Sequence, residues 1–451
     1  MAETMQPGPM ALTRKALWQV ARGRHLRPHL ATLEAFAAAP PAAQRAMLAT
    51  QLQQQVRYFA ARADALPEWV ELARCARPEE VLAGWASLPI LTKDDLNHRF
   101  NPDRLVRDYQ LVGVASSTGG STGEPTRFFL DQTVVEAREA STVFCHRLFG
   151  WEPGLQVICV WGSDRDIGRQ KHWSARVKGR LRGRVMVDGY RLTSATTDAV
   201  IDALRQSPTS AIYGFTSMLE YIARDVLQRG IEVRPGRVRC AWNGGEMLCA
   251  EQSARFEQAF GVPIQNLYGG REMGPMAYQP RGAAALRLIQ PFKFVEIVGD
   301  DGRPVSPGEV GRLIWTDTVC RGTPFLRYDI GDLGAAPTTA AADAPIGELA
   351  SLHGRRSGIL TLDNGDVIQG IFWNHLFKEF GEVEQFQIAF RPGAPLVIRL
   401  VGRGFSAERD ADLRARLTAF LRGMAYEITW VDAIAPGAQG KREQVVREPA
   451  P

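Results

Sequence analysis

Short, uniformly apolar runs alternate with amphipathic stretches through the middle of the chain. The clearest are VICVW (157–161), SAIYG (210–214), VRCAW (238–242) and PIQNLY (263–268). They are too short for helices and too continuously apolar for half-exposed strands. They predict strands covered on both faces. Between them, Phe215–Gly230 places Met218, Leu219, Ile222, Val226 and Leu227 on one helical stripe. Ser217 and Glu220 stand at capping-box spacing there, and Gly230 is a natural terminator. A second helix is predicted over roughly 250–260, ending at Gly261. Strand–helix alternation from about 110 to 330 predicts a layered α/β domain.

The flanks read differently. Residues 11 to about 85 are rich in Ala, Leu, Arg and Gln and predict helices, broken by AAPPAA at 38–43. The small-residue stretch 335–346 predicts an exposed loop. After about 357 the pattern becomes QFQIAF, LVIRLV, a helix from Ser406 to about Arg422, then EITWV, a compact α+β unit. The expected division is a helical segment 1–85, an α/β domain 86–355 and a C-terminal unit 356–451, with the break at HGRRSG (353–358). The expected fold class is α/β: a large layered N-terminal domain of β-sheets flanked by helices, plus a small α+β C-terminal domain.

Composition narrows the function classes. At 451 residues the chain exceeds one ordinary core, so several domains are expected. A 45% apolar and 23% charged composition is that of a globular protein. The net charge of +5 is small, and Lys and Arg are dispersed, which argues against nucleic-acid and membrane-surface roles. No apolar run is long enough to predict a transmembrane helix, and the first residues lack the apolar segment of a secretory signal. The six cysteines form no C-x-x-C and have no His at ligand spacing. They are expected to be buried thiols in a reducing cytoplasm. The oligomeric state is not legible.

Five short stretches carry candidate chemistry. SSTGGSTGEPT (116–126) combines Gly with hydroxyl groups, a composition that lets backbone N–H groups approach a polyphosphate. It lacks the Lys-Ser/Thr pair of a Walker A loop. NLYGGREMG (266–274) follows a predicted buried strand, where open α/β sheets place ligands. Glu272 offers an oxygen ligand for Mg²⁺, and Tyr268 a flat face for a base or an acid. In FLRYDIGDLG (325–334), Asp332 can accept two hydrogen bonds from a ribose diol. In HGRRSG, Arg355 can donate to the same sugar or to a phosphate. In APGAQGKREQVV, Lys441 sits in a Gly-rich loop, not on a helix face. Each has a plainer alternative: a flexible turn, an Arg271–Glu272 surface ion pair, an Asp turn, a solvated Lys.

Taken in order, the five stretches resemble the motifs of the adenylate-forming superfamily of acyl-CoA synthetases, peptide-synthetase adenylation domains and luciferases. Similarity is greatest to the phenylacetate–CoA ligase-like subgroup, including capsule-biosynthesis relatives. LPILTKDDL (88–96) resembles that subgroup's entry segment, GGSTGEPT its phosphate loop, YGGRE its Tyr-Gly-x-x-Glu motif and RYDIGDLG its ribose motif. GRRSG resembles the hinge and GKREQVV the catalytic-lysine motif, so the likeness runs from about 88 to 447. Three positions depart from the pattern. Arg271 replaces the usual Thr before Glu272, Ser357-Gly358 replaces an acidic pair or Asp-Lys at the hinge, and DNGDVIQG lacks a Pro after its Ile. The latter two fall on parts used for thiol transfer, not on those used for adenylation.

The resemblance implies ATP-dependent activation of a small carboxylic acid through an acyl-adenylate, with pyrophosphate release. It implies ATP and Mg²⁺ as cofactors and CoA as acceptor, with a carrier-protein thiol or an amine as the alternative. Lys441, Glu272 and Arg271 would be catalytic, with Mg²⁺ on Glu272. Nucleotide contacts would come from Ser117, Thr118, Gly120, Ser121, Thr122, Gly123, Thr126, Gly245, Glu246, Tyr268, Gly269, Asp332 and Arg355. The acid pocket would involve Phe215, Gly245, Tyr268, Gly269 and Gly270, with an aromatic acid preferred because two Gly beside Tyr268 leave room for a flat ring. Trp161 and the basic run 171–184 are entrance candidates. The C-terminal unit would be a mobile lid carrying Lys441. A non-catalytic nucleotide-binding protein is the rival reading, opposed by the presence of both Lys441 and Glu272.

Overall fold

The computed structural model describes residues 9–18, 24–117, 126–161, 179, 183–189, 192–246, 248–341, 344–355, 359–361, 367–369, 373, 376–377, 379–391, 394–421, 424–434 and 445–447. Helices α1 (Pro9–Trp18), α2 (Arg24–Ala38), α3 (Pro41–Ala60), α4 (Pro67–Ala73), α5 (Pro78–Gly84) and α6 (Pro102–Tyr109) come first. Then follow β1 (Gly113–Ser117), β2 (Arg127–Asp131), α7 (Gln132–Leu148), β3 (Gln156–Trp161), β4 (Arg184–Asp188), α8 (Ser194–Arg205), β5 (Ser210–Gly214), α9 (Thr216–Gln228), β6 (Val238–Asn243) and α10 (Ala250–Phe260). Strands β7 (Ile264–Gln265), β8 (Leu267–Gly270), β9 (Gly274–Tyr278), β10 (Leu286–Leu288), β11 (Lys293–Val298), β12 (Gly311–Asp317), β13 (Tyr328–Ala335), β14 (Glu348–Leu349) and β15 (Ser351–Arg355) continue the chain. The remainder holds β16 (Ile359–Thr361), β17 (Val367–Gln369), β18 (Val383–Phe390), β19 (Leu396–Gly402), α11 (Ala407–Leu421), β20 (Tyr426–Trp430) and β21 (Val445–Arg447).

The uniformly apolar runs are the strands of a parallel sheet in the order β4-β3-β5-β6-β7. Alternate residues serve its two faces. Ile212 and Ala241 pack with Val200, Leu219, Ile222 and Phe256 from α8, α9 and α10. Ala211, Cys240 and Trp242 pack with Leu30, Ala137 and Ala140 from α2 and α7. Both faces are thus covered by helices, which is why these strands show no polar alternation. Two antiparallel sheets, β14-β10-β9-β8 and β11-β12-β13-β15, share a third core with α3–α5. The sheet β20-β19-β18-β21 and α11 form a separate core around Trp373, Phe377, Ile398 and Leu417.

Three local expectations need correction. The helix in 215–230 is capped at Phe215 with no side-chain cap bond, so Ser217 and Glu220 form no capping box. Glu220 instead pairs with Gln252 and Arg255 on α10. Its end is as expected, with Gly230 left-handed at φ +61°. PIQNLY is two strands: β7 ends the parallel sheet and β8 enters an antiparallel one. The switch occurs at Asn266, whose carbonyl accepts from Gln279 beyond β9. Third, the small-residue stretch at 335–346 begins inside the fold. β13 runs through Ala335, and both Ala335 and Ala336 are buried.

The helices that flank the site are fixed by side-chain caps and buried arginines. Asp131 begins α7 by accepting from the N–H of Thr133 (3.0 Å) and Val134 (3.2 Å), a cap worth about 1 kcal/mol. Its other oxygen accepts from the Gly322 amide (3.0 Å), so α7 is tied to the loop after β12. Arg327, left-handed at φ +50° and 2% exposed, bonds Glu296 (2.8 Å) and the Ala86 carbonyl (2.7 Å). Leu91 exchanges backbone bonds with Arg327 and Asp329 (2.9 Å each), binding the 88–96 segment to the strand that carries Asp332.

Candidate functional site

The carboxyl ends of β3, β5, β6 and β7 meet at one edge of the parallel sheet, the position where such sheets place ligands. Asn243, the last residue of β6, joins three of the loops that leave this edge. Its Nδ2 donates to Thr216 Oγ1 and to the Glu246 carbonyl (2.9 Å each), and its Oδ1 accepts from the Leu267 amide (3.0 Å). It is fully buried, so each bond is made away from water. Nothing in the sequence singled it out, because one Asn at the end of an apolar run has no spacing signature.

An aromatic tier stands beside these loops. Trp161 stacks on Phe215 (centroids 4.2 Å apart, 18° between planes) and on Tyr213 (5.3 Å, 22°), and Tyr213 stacks on Trp242 (5.9 Å, 26°). Trp161 is therefore part of this wall. The basic run expected beside it falls largely outside the described residues. Gly245 is left-handed at φ +75°, and a Cβ there would lie 2.6 Å from Phe215. Only Gly lets the loop pass so close to the ring.

Further along the chain, β8 links two groups of polar side chains. Tyr268 donates its hydroxyl to Asp332 Oδ2 at 2.6 Å. Burial, then the charge of Asp332, push the phenol well above its usual range, so it remains a donor to that carboxylate. On β13 and β15, Asp332 and Arg355 are direct cross-strand partners. Beyond β8, Arg271 reaches the Ser117 carbonyl (3.4 Å) at the end of β1, where the Gly- and hydroxyl-rich stretch begins. Glu272 is 3% exposed and pairs with no Arg or Lys among the described residues, so the expected Arg271–Glu272 surface pair does not form. Its Oε1 is buried without a hydrogen-bond donor among the described residues. Gly270 lies against the same carboxylate, its Cβ position 3.5 Å from Oε2. Gly269 serves the strand pairing, since a Cβ there would meet the Gly274 carbonyl at 2.7 Å.

Behind Glu272 lies a charge cluster that the sequence did not reveal. Arg138 of α7 donates to the carbonyls of Arg271 (3.1 Å) and Glu272, and to Asp317 Oδ2 (3.4 Å). Lys293 donates to the same Asp317 oxygen at 2.8 Å, with side chains 2% and 0% exposed. Asp317 Oδ1 caps the amides of Val319 and Cys320 (3.0 Å each). Burial alone would raise the Asp317 carboxyl, but Lys293 and Arg138 outweigh it and hold the group below its usual range. Removing one member of such a buried group costs roughly 3–5 kcal/mol.

The predicted site residues thus fall into clusters. Tyr268, Gly269, Gly270, Arg271 and Glu272 are contiguous. Asp332 and Arg355 adjoin their first member, and Ser117 adjoins Arg271. Phe215, Gly245 and Glu246 line the strand-end loops. Thr126 is fully buried just before β2. Thr118, Gly120, Ser121, Thr122, Gly123, Lys441 and the hinge residues Ser357 and Gly358 lie outside the described residues, as does the side chain of Arg355. No described helix is long and apolar enough to cross a membrane.

Comparisons with known proteins agree with this layout. The family described as AMP-binding enzyme matches residues 181–322, a span that includes Glu246 and Tyr268–Glu272. The fold is shared with 2-hydroxyisobutyryl-CoA ligase in a postadenylation complex with 2-HIB-AMP: TM-score 0.59, 17% identity, 90% of each chain covered. The same ligase with 2-HIB-AMP and CoA in the thioesterification state gives TM-score 0.57 at 17% identity, covering 91% of each chain. The chain thus carries a region that matches the AMP-binding enzyme family and shares the fold of a known acyl-CoA ligase. Among individual proteins, it is 25% identical over 247 residues to Protein CapK of Staphylococcus aureus, covering 54% of this chain. The match spans about half (52%) of that curated relative.

Proposed function

We propose that this protein is an AMP-forming acid ligase: it activates a small carboxylic acid with ATP and passes the acyl group to a thiol, CoA being the leading acceptor. The observation that carries the reading is the convergence of Tyr268–Asp332 and Arg271–Glu272 on opposite ends of β8, at the carboxyl edge of the parallel sheet. One end suits a ribose, the other a polyphosphate.

In the first step a carboxylate oxygen attacks the α-phosphorus of ATP. A new C–O–P linkage forms, the bond to the β-phosphate oxygen breaks, and pyrophosphate leaves with that electron pair. Asp332 and Arg355 hold the ribose, which supplies orientation more than chemistry. Arg271 and Lys441 offset the repulsion between carboxylate and phosphate. The buried Glu272 Oε1, which has no hydrogen-bond donor among the described residues, would suit a hard cation such as Mg²⁺. When bound, Mg²⁺ would withdraw charge from the departing pyrophosphate. In the second step a thiolate attacks the acyl carbonyl and AMP leaves. The hinge at Arg356–Ser357 would turn the C-terminal unit, a mobile lid, between the two steps.

The Phe215–Trp161–Tyr213 wall beside Gly245 favours a flat, aromatic acid. A carrier-protein thiol or an amine is the second reading for the acceptor. The replacement of the usual hinge residues with Ser357-Gly358 bears on this transfer step rather than on adenylation. The deciding experiment is acid-dependent pyrophosphate release over an acid library, with and without CoA. Release with no acid in the library, together with no ATP binding, would overturn the ligase reading. Release without thioester formation would leave adenylation standing and exclude CoA.

A further inference from the structure

We propose that Arg138 is a positioning residue that holds the Arg271–Glu272 turn in place to receive a magnesium-bound triphosphate, with Asp317 and Lys293 as its anchor. The inference rests on the nucleotide reading above and extends it to three residues outside the recognised motifs.

Both terminal nitrogens of the guanidinium donate to the turn. NH1 reaches the Arg271 carbonyl, while NH2 bonds the Glu272 carbonyl and lies 3.4 Å from Asp317. Two consecutive peptide groups are thereby fixed by one planar fork, a geometry Lys cannot supply. Asp317 does not need Arg138 for neutrality, because Lys293 already sits 2.8 Å from the same oxygen. With all three ionised, the cluster carries one positive charge in excess beside the turn. Room for the Arg138 stem is built in as well. Gly274 is left-handed at φ +70°, and a Cβ there would stand 2.9 Å from Arg138 Cγ and Cδ.

The position of Arg138 on the chain adds a mechanical link. It lies in the second turn of α7, which begins directly after β2, the strand leaving the 118–125 stretch. Arg271 meets the other side of that stretch through the Ser117 carbonyl. Arg138 therefore couples the exit of the phosphate-loop candidate to the turn bearing Glu272. A groups-behind-the-ligand arrangement of this kind orients the residue that meets the metal.

The test is direct binding of two probes, ATP with Mg²⁺ and AMP, to the full chain. AMP uses the Tyr268–Asp332 end of the site and lacks the β- and γ-phosphates. For Arg138→Met, the dissociation constant for Mg²⁺–ATP should rise about 10- to 100-fold, while that for AMP changes less than about twofold. Arg138→Lys keeps the charge without the fork and should fall between wild type and Arg138→Met. It also carries the test if the Met variant does not fold. Equal weakening of both probes in the folded Lys variant would mean a merely structural role and overturn the proposal, as would unchanged Mg²⁺–ATP binding. A wild-type chain that binds neither probe would instead refute the nucleotide reading, a result distinct from loss confined to the variants.

Discussion

Asp332 and Arg355 face each other as direct partners across the antiparallel pairing of β13 and β15. They are separated by a loop and one short strand, β14, which belongs to another sheet, yet the ladder puts an acid and a base at one register position. Tyr268, from a different sheet, closes on Asp332 at 2.6 Å.

Asp332→Asn should raise the ATP Michaelis constant by about 10- to 100-fold, the weight of a charge-assisted hydrogen bond pair, and leave that of the acid nearly unchanged. Tyr268→Phe should do the same more weakly. Steady-state kinetics with ATP and acid varied separately check this. A 2′,3′-dideoxy nucleotide should bind the Asn variant no worse than wild type does; a full Asp332 effect on that analogue would count against ribose binding.

Lys441→Ala should lower acid-dependent ATP–pyrophosphate exchange on the order of 10² to 10³, while ATP binding measured by titration survives. Unchanged exchange would remove Lys441 from the mechanism.

Gly245→Ala should impair both stability and acid use. The residue is left-handed, and the added Cβ would meet Phe215 at 2.6 Å. The backbone cost alone is roughly 1–2 kcal/mol. A lowered melting temperature with a raised Michaelis constant for the acid is expected. Wild-type values for both would show that Phe215 moves aside freely.

If Gly358 belongs to the proposed hinge, Gly358→Pro should impair thioester or amide formation far more than pyrophosphate exchange, because Pro fixes φ where the hinge would have to change its dihedrals. Assaying both half-reactions on one preparation decides it. Equal losses would make the residue structural.

Stability should fall with acidification below about pH 6.5, the ordinary His value, through His146. Burial, and then the charge of Arg184, hold its folded-state pKa down at about 3. The ring packs tilted against Trp242, with centroids 4.1 Å apart and 36° between planes. The unfolded chain takes up a proton that the folded one refuses. The contribution is therefore fully present above the unfolded pKa and is lost as pH falls toward 3, by up to about 1.4 kcal/mol per pH unit. Urea midpoints between pH 7 and 5 should show this slope in the wild type and a shallower one in His146→Phe. Parallel slopes would assign the loss to other groups.

Local order was legible because it depends on neighbours along the chain. The apolar runs fixed the parallel strands, since a strand covered on both faces needs no polar alternation. Gly230 and Gly261 marked helix ends because a left-handed residue there favours Gly. The short motifs also marked Tyr268, Arg271, Glu272, Asp332 and Arg355 as candidates, since each carries a side chain with an identifiable task beside Gly. Which of these meet was decided by tertiary structure. The PIQNLY run read as one strand, but it changes sheet at Asn266, and that change places Tyr268 over Asp332. The Ser217–Glu220 spacing failed as a cap because the helix starts one residue before Ser217, at Thr216, and Glu220 bonds Arg255 and Gln252 on the next helix. Asn243, Arg138, Asp317 and Lys293 had no signature at all. Their roles arise from hydrogen bonds between elements far apart in sequence, in a dry interior where an unpaired charge is costly. The sequence by itself determined the elements and the chemical groups available; only folding decided which of those groups share a site.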